Sequence, residues 1–377
     1  MNSRQTFIFK HFTSLFETYN GTVPFQYFFK KHCKQNPSLG SKDRRLLREI
    51  CYRIFRSGTQ WKNKPLDELF LWPASFSKQD DLLNDFYEGL EKVEVSFDFD
   101  YPFKDLLVEE LRNPEFYESQ INQPLVWVRV NQSNKDKFKS KYKDLVISEF
   151  EINSMYVAFG LSNSTPIEPE PLLFEIQDLA SQQVSANIKL NDTQKLKVWD
   201  CCCGAGGKSL FLAEEYKRIE FYASDIRPAI LDNLKTRFKQ KRLTIPKLAS
   251  IDLNKKPEKI NFNGQILGRD FFDVILADVP CSGSGTWARE PEYFTYFDAR
   301  KMDEIVSRQF EISKSSLRFL RSGGKFYYIT CSVFERENQG VVNRLAQECS
   351  VKLVKMENVF RYQDQADNLF IAEFEKI

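Results

Sequence analysis

The sequence has little of several features that mark particular classes of protein. Histidine occurs only twice, as His11 and His32, and none of the eight cysteines form a Cys-x-x-Cys pair. A zinc site is therefore not expected, because structural zinc sites take closely spaced Cys and His ligands. Three adjacent cysteines, at positions 201–203, also do not fit the disulfide framework of a small secreted domain. We expect free thiols and a cytoplasmic location.

Long apolar runs are missing as well. No apolar run reaches the ~18 residues that a membrane span needs, and residues 1–7 contain no apolar signal-peptide core. We therefore expect no association with a membrane. Lysine plus arginine (54) nearly balance aspartate plus glutamate (52), so the net charge of +2 does not by itself indicate nucleic-acid binding. With 377 residues, 42% of them apolar, the chain can form two or three domains.

Residues 1–115 are predicted to form a helical domain. Residues 7–16 and 43–56 carry apolar side chains at helical spacing, and Ser57-Gly58 ends the second helix. That second helix contains five arginines: Arg44, Arg45, Arg48, Arg53 and Arg56. Two interpretations stay open, a face that contacts RNA phosphates and a solvated face with pairing inside the helix.

Residues 116–165 are predicted to form a small α+β module with a linker. Residues 125–131, 145–152 and 155–161 alternate between apolar and polar side chains as β-strands do. The stretch 162–171 contains three prolines, which is typical of a linker.

Residues 166–377 alternate between short apolar runs and helical patterns. The predicted strands are residues 196–201, 220–224, 247–251, 272–277, 325–330, 351–356 and 370–374. The predicted helices are residues 209–216, 227–239, 299–319 and 337–348. This order predicts an α/β fold with a mostly parallel, doubly wound, Rossmann-like sheet.

Polar and nucleophilic residues follow these strands at the points where each one ends. They are Asp200 with residues 201–208, Asp225, Asp252, Asp278 with residues 279–285, and Thr330-Cys331-Ser332. Ligands of such sheets bind at the carboxyl ends of the strands, so this set predicts one functional site.

The glycine-rich stretch after the first of these strands indicates a nucleoside ligand. Its glycines let the backbone approach a ligand, but the spacing is neither Gly-x-Gly-x-x-Gly nor that of a Walker loop. Asp225 follows by about 20 residues, where an acid accepts hydrogen bonds from ribose hydroxyls, and Asp252 could meet an adenine amino group. An adenosine ligand without a phosphate cradle favours S-adenosylmethionine over a dinucleotide. Lys208 could meet a phosphate or the methionine carboxylate.

Two cysteines at strand ends are candidate nucleophiles. Cys281 lies in a Pro-Cys-Ser-Gly turn and Cys331 in a Thr-Cys-Ser turn. A thiolate nucleophile needs an exposed, electropositive site, and a shared edge of the sheet could provide one. The side chains of Cys201 and Cys203 are expected to pack around the glycine turn, with Cys202 beside the cofactor.

Three motifs in order carry a family resemblance. They are Asp200-x-Cys202-x-x-x-Gly206-Gly207-Lys208-Ser209, Asp278-x-Pro280-Cys281-Ser282-Gly283-x-Gly285 with Arg289-x-Pro291-Glu292, and Thr330-Cys331-Ser332. Together they resemble the motifs of the Nop/Sun RNA (cytosine-5) methyltransferases, and most closely those of the bacterial Sun-type 16S ribosomal RNA enzymes. The resemblance covers roughly residues 125–377. The helices before it more loosely resemble a NusB-like RNA-binding domain.

The resemblance implies S-adenosylmethionine-dependent methylation of a cytosine C5 in RNA, through a covalent bond between a cysteine and C6. It makes Cys331 the nucleophile, Cys281 the residue that helps to release the adduct, and Asp278 the group that holds the N3/N4 edge of the base. The cofactor-binding set is expected to be Cys202, Cys203, Gly204, Ala205, Gly206, Gly207, Lys208, Asp225, Asp252 and Asp278. Residue chemistry alone does not order the two cysteines, because a Pro-Cys nucleophile, as in DNA cytosine-5 methyltransferases, would be Cys281.

The expected partner is RNA, with 16S ribosomal RNA favoured by the NusB-like resemblance, and the chain is expected to be a monomer. A transfer RNA substrate and a non-catalytic RNA-binding assembly role on the same fold are the alternatives. An amino-group methyltransferase would need Asp/Asn-Pro-Pro-Tyr/Phe where this chain has Asp278-Val279-Pro280-Cys281.

Overall fold

The computed structural model describes residues 1–75, 81–90, 101–162, 167–191 and 193–377. The chain divides into two compact units. The helical unit contains residues 1–104, 113–123 and 287–298, and the sheet unit contains residues 105–112, 124–286 and 299–377. Among the described residues, no helix is both long and apolar enough to cross a bilayer.

The helical unit is built from seven α-helices in its described part. They are α1 (Ser3–Thr18), α2 (Phe25–Gln35), α3 (Ser41–Arg56), α4 (Leu66–Ser75), α5 (Asp81–Tyr87), α6 (Pro114–Ile121) and α11 (Pro291–Tyr296). Helix α3 buries an apolar stripe that includes Leu46, Ile50 and Ile54, as its helical spacing predicts. Because one face is buried, the polar side chains of α3 lie on the other.

The arginines of α3 do not form one uniform face. Arg44, Arg45 and Arg48 are exposed, whereas Arg53 pairs with Glu49 at 2.9 Å within the helix. Arg56 is half-buried beside the ring of Tyr52. Helix α3 therefore combines solvated arginines with one internal ion pair.

A four-stranded antiparallel sheet opens the sheet unit. Its strands are β1 (Val126–Asn131), β2 (Val146–Glu151), β3 (Tyr156–Leu161) and β4 (Phe174–Ile176), in the order β2-β3-β1-β4. Helix α7 (Lys135–Tyr142) covers it through Phe138. The first three strands confirm the sequence prediction. The predicted linker 162–171 lies partly outside the described residues, and its residues 167–170 have no regular structure.

A seven-stranded sheet forms the centre of the unit, in the order β12-β13-β11-β10-β5-β6-β7. Its strands are β5 (Leu196–Asp200), β6 (Ile219–Asp225), β7 (Lys247–Ser250), β10 (Phe272–Asp278), β11 (Leu320–Thr330), β12 (Val351–Phe360) and β13 (Asn368–Lys376). Strand β13 runs antiparallel to both neighbours, and the other pairs are parallel. The predicted mostly parallel α/β fold is confirmed.

Helices cover both faces of this sheet. They are α8 (Leu179–Asn187), α9 (Gly207–Glu215), α10 (Pro228–Gln240), α12 (Met302–Leu317) and α13 (Val341–Glu348). Val198 packs in one core with α9 and α10, whereas the next residue, Trp199, packs in the other with α12 and α13. A central parallel strand is apolar on both sides because both of its faces are buried.

Several elements differ from the sequence prediction, among them β4 and α8, which were not predicted. Strand β11 begins at Leu320, before the predicted residue 325, because Leu320 pairs with Phe272 and the register then shifts at Val274. Strands β8 (Ile260–Phe262) and β9 (Gln265–Leu267) form a hairpin that was not predicted. Three-residue strands are too short for alternation to be recognised.

Candidate active site

Parallel pairing brings the predicted strand-end residues to one edge of the sheet. Strand β10 pairs with β5 so that Leu276 lies beside Asp200, and with β11 so that Asp278 lies beside Ile329. The chain segments that follow these strands therefore leave the sheet side by side.

The two candidate nucleophiles meet at this edge. The Sγ atoms of Cys281 and Cys331 are 3.2 Å apart, and both side chains are half-buried. The hydrogen bond with Cys331 and burial raise the pKa of the Cys281 thiol well above its usual value. Cys281 therefore holds its proton more firmly than a free cysteine does.

Gly285 holds the two cysteine loops together. Its N–H donates to the carbonyl oxygen of Cys331 at 2.9 Å. A Cβ atom on Gly285 would lie 1.9 Å from the carbonyl oxygen of Asn368, so only glycine fits. The loop after β10 therefore lies against the start of β13, and a Cβ atom on Gly285 would also lie 3.0 Å from the carbonyl oxygen of Cys331.

Lys208 and Asp278 form a partly buried ion pair. Lys208 Nζ lies 2.7 Å from Asp278 Oδ2, and the lysine side chain is 12% exposed. Burial by itself lowers the pKa of Lys208, but the Asp278 carboxylate outweighs it and the pKa is raised. Lys208 is thus held as an ammonium ion against the carboxylate at the end of β10.

Asp200 is a buried carboxyl group beside the glycine turn. Its Oδ2 accepts a hydrogen bond from Ser209 Oγ at 2.6 Å, but its Oδ1 has no partner among the described residues. Burial raises the pKa of Asp200 to about 7, despite the hydrogen bond from Ser209. An orphaned buried acceptor of this kind is suited to a cationic donor from a ligand.

The glycine turn curls around a second carboxylate, Asp225. Asp225 Oδ2 accepts the N–H of Gly204 at 3.1 Å, and Oδ1 accepts the backbone and Nε hydrogens of Arg227, each at 2.9 Å. Burial by itself raises the pKa of Asp225, but the Arg227 hydrogen bonds outweigh it and lower that pKa. Gly204 and Gly206 have positive φ angles of 52° and 83°. These left-handed conformations are what glycine permits.

The remaining predicted cofactor residues lie around this turn or at the next strand end. Cys201 and Cys203 are buried in the two cores of the sheet, Cys202 is half-buried, and Ala205 is exposed. Asp252 follows β7, where its Oδ1 accepts the N–H of Asn254 at 3.1 Å.

One residue that links both cysteine loops, Glu337, was not among the predicted site residues. It is fully buried and accepts hydrogen bonds from Ser282, beside Cys281, and from Ser332, beside Cys331. Its position in the sequence could have identified it. Glu337 lies one helical turn before Val341, and the buried face of α13 continues back through the π-helical turn that contains Glu337.

One segment that carries the family resemblance belongs to the helical unit and not to the sheet unit. Glu292, in the Arg289-x-Pro291-Glu292 segment, belongs to the helical unit. Its Oε1 accepts the backbone N–H of Phe25 at 3.0 Å, so it caps the start of α2. Within the described parts of both units, no group of three or more His, Cys, Asp or Glu side chains could hold a metal ion.

The parallel sheet with its antiparallel β13, the glycine turn and the strand-end carboxylates define an S-adenosylmethionine-dependent methyltransferase. Within that class, residues 187–374 match the family described as 16S rRNA methyltransferase RsmB/F, so this part of the chain is a methyltransferase domain of that type. The Sun-type resemblance is confirmed by that match.

Curated relatives carry the name ribosomal RNA small subunit methyltransferase B. The Xanthomonas campestris protein is 27% identical over 195 residues, which cover 50% of this chain and 43% of the relative. The Escherichia coli protein is 27% identical over 231 residues, covering 59% and 51%. The chain thus spans about half the length of the curated relatives it matches.

Solved structures share the fold. PH0851 superposes with a TM-score of 0.68 at 21% identity, covering 94% of this chain and 95% of that one. NSun6 from Pyrococcus horikoshii, crystallised with SFG, superposes with a TM-score of 0.59 at 16% identity, covering 73% and 96%.

Proposed function

We propose that this protein methylates C5 of a cytosine in RNA, through a covalent bond between Cys331 and C6 of the base. The observation that carries the proposal is the 3.2 Å contact between the thiols of Cys281 and Cys331 at the edge that also holds Asp278. C5 of cytosine is a poor nucleophile, and addition of a thiolate at C6 makes it electron-rich. A methyltransferase that needed no covalent step would have no use for two paired thiols at its site.

The residues beside the glycine turn fit S-adenosylmethionine. The orphaned Oδ1 of Asp200 suits the ammonium group of the methionine part, and Asp225 suits the ribose hydroxyls. The turn from Cys202 to Gly207 would supply backbone donors, and Asp252 an acceptor for the adenine amino group. When bound, S-adenosylmethionine supplies an electrophilic methyl group.

The contact between the two thiols supports a division of roles, and their order follows the family resemblance. The S–H of Cys281 can donate to the sulfur of Cys331 and stabilise a thiolate there. The Cys331 thiolate then adds to C6 of the cytosine. Once C5 carries the methyl group, its proton is lost to water, and the C–H electron pair re-forms the C5–C6 double bond as the C6–S bond breaks. The S–H of Cys281 then stabilises the departing Cys331 thiolate, which would explain why Cys281 is needed for release.

Asp278 and Lys208 support recognition and activation of the base. The Asp278 carboxyl group would hold the N3/N4 edge of the cytosine, where charge develops when the thiolate adds. Lys208, paired with it at 2.7 Å, fixes the orientation of that carboxyl group and keeps a positive charge beside it. We therefore propose that Lys208 acts mainly by orienting Asp278. The sequence analysis also predicts Lys208 as a cofactor-binding residue, and that prediction is kept.

The substrate we propose is 16S ribosomal RNA, since the matched family and the curated relatives are named for it. The target base must leave its stack to be reached at both C5 and C6. The exposed arginines of α3 would contribute phosphate contacts, and the protein would act as a monomer.

A tritium-transfer assay tests this function. Purified protein, tritiated S-adenosylmethionine and unmodified 16S RNA should yield label in 5-methylcytosine after nucleoside digestion. Transfer RNA offered in parallel should stay unlabelled. Label in an amino-methylated base would contradict the proposed chemistry, and absence of label from every RNA would favour a non-catalytic role.

A further inference from the structure

Glu337 joins the two cysteine loops through one buried carboxylate. Its Oε1 accepts the backbone N–H of Ser282 and the Nε2 hydrogen of Gln309, both at 2.8 Å. Its Oε2 accepts the hydroxyls of Ser282 and Ser332. Four donors directed at two oxygen atoms are the arrangement that an ionised carboxylate accepts. The residue after Cys281 and the residue after Cys331 are thus bound to the same group.

A second set of hydrogen bonds strengthens the connection. Ser284 Oγ lies 3.0 Å from Ser332 Oγ and accepts the N–H of Val333 at 3.0 Å. On the other side, the side chain of Asn338 donates to the carbonyl oxygen of Ser332 at 2.8 Å. The loops that carry the thiols are therefore held together by side chains from the π-helical turn that contains Glu337.

The four donors to Glu337 are all uncharged. A buried carboxylate stabilised by dipoles keeps its negative potential, whereas one paired with a lysine or arginine largely loses it. That potential acts on Cys281: beyond the hydrogen bond with Cys331 and burial, the charge of Glu337 adds to the raised pKa of the Cys281 thiol. Glu337 thus affects the position of both thiol loops and the charge state of Cys281.

We propose that Glu337 is a positioning residue for the two cysteines, holding both loops through Ser282 and Ser332 and placing a buried negative charge beside them. The proposal deepens the proposed function and rests on it for its catalytic meaning. The thiol chemistry itself can be measured without RNA or cofactor, so the two can fail separately.

The test uses Glu337→Gln in the full chain. The amide oxygen can still accept from Ser282 N–H and Gln309, and the amide nitrogen can donate to the two serine hydroxyls, so the shape is kept and the charge is removed. Glu335→Gln is the matched control, because Glu335 is exposed and lies two residues away. Alkylation of Cys281 by iodoacetamide is followed against pH by peptide mass spectrometry.

In Glu337→Gln, Cys281 should be alkylated about tenfold faster at about pH 8, because removal of the buried negative charge lowers the pKa of its thiol and raises its thiolate fraction. Its pH profile should shift to lower pH, while Glu335→Gln keeps the wild-type profile. An unchanged Cys281 profile in a folded Glu337→Gln protein would overturn the electrostatic part of the proposal.

Ser282→Ala and Ser332→Ala test the positioning part, and they decide the matter if Glu337→Gln does not fold. Each keeps the charge of Glu337 and removes one hydroxyl bond to it. Diamide oxidises Cys281 and Cys331 to a disulfide by taking two electrons and two protons, and the loss of mass reports the rate. Each serine variant should form this disulfide about tenfold more slowly than wild type, because the thiols no longer stay in contact. A wild-type rate in both would overturn the positioning role.

Methyl transfer adds a separate readout. Glu337→Gln should lower kcat and leave KM for RNA unchanged, since no contact with RNA is removed. If the alkylation profile shifts but wild-type protein labels no RNA, the proposed function fails and the role of Glu337 at the thiols stands.

Discussion

The ammonium group of Lys208 lies 2.7 Å from the carboxylate of Asp278, across 70 residues of sequence. This pair fixes a negative charge at the end of β10, a few residues before Cys281. Neither group is freely solvated, so removing one leaves the other partly buried and without its counter-charge.

Lys208→Met should therefore lower kcat/KM for methyl transfer by about 10²-fold or more, an effect typical of losing one preorganised charge at a reacting group. Lys208→Arg should retain more activity, because it keeps the charge. Steady-state kinetics with both variants check the prediction. Equal loss in both would point to a need for the lysine's shape instead of its charge.

The two cysteines should behave differently when each is removed. Cys331→Ala should abolish methyl transfer because no thiolate can add to C6. Cys281→Ala should accumulate a covalent protein–RNA adduct, since the S–H that stabilises the departing sulfur is gone. Denaturing electrophoresis with labelled RNA distinguishes them, and an adduct in Cys331→Ala would reverse the assignment.

The Asp200 carboxyl group should make cofactor binding depend on pH. Its pKa of about 7 means that it is largely protonated at lower pH and charged at higher pH. If it binds the ammonium group of the ligand, affinity for S-adenosylhomocysteine should rise about tenfold between about pH 6 and about pH 8. Isothermal titration calorimetry measures it, and Asp200→Asn should bind more weakly with a flat profile. A wild-type profile that is flat as well would remove Asp200 from the cofactor site.

Asp200 also affects the stability of the protein without ligand. Because burial raises its pKa from 3.8 to about 7, the folded state binds more protons than the unfolded state between those values. Its contribution to the free energy of unfolding is therefore lost as pH rises from about 4 to about 7. Bound ligand should offset that loss.

The helical unit should be sensitive to acid through its two histidines. His11 Nδ1 and His32 Nε2 are 3.1 Å apart and buried, and burial lowers the pKa of both. A lowered histidine pKa means that the unfolded state takes up protons first, so stability is complete above about pH 6.5 and falls below it. Urea unfolding of the full chain at several pH values measures this. Because the chain has no other histidine, His11→Gln should reduce the slope; an equal slope would place the acid sensitivity elsewhere.

Gly285 should tolerate no side chain. Gly285→Ala would place a Cβ atom 1.9 Å from the backbone oxygen of Asn368 and 3.0 Å from that of Cys331, so the loop that carries Cys281 would have to move. We expect a loss of about 3 kcal/mol or more in the free energy of unfolding, together with loss of methyl transfer. Gly268→Ala is the control, because a Cβ there meets nothing within 4 Å. Thermal and urea unfolding of both variants give the comparison, and equal stabilities would contradict the close approach.

The sequence by itself determined the strands of the central sheet and the residues at their ends. Buried parallel strands read as apolar runs, and a polar residue directly after each run marks the edge where ligands bind. Asp200, Asp225, Asp278 and Cys331 could therefore be placed at one edge from spacing alone. The short hairpin of β8 and β9 was not predicted, because a strand of three residues is too short to show alternation of apolar and polar side chains.

Only the tertiary structure decided which of these residues touch. Cys281 meets Cys331 across 50 residues, and Lys208 pairs with Asp278 and not with a residue near it in sequence. Such contacts depend on how loops leave the sheet, which here is set by the fit of Gly285 and by the carboxylate of Glu337. Loop conformation follows from packing and hydrogen bonds between distant segments, and periodicity along the chain carries no information about those.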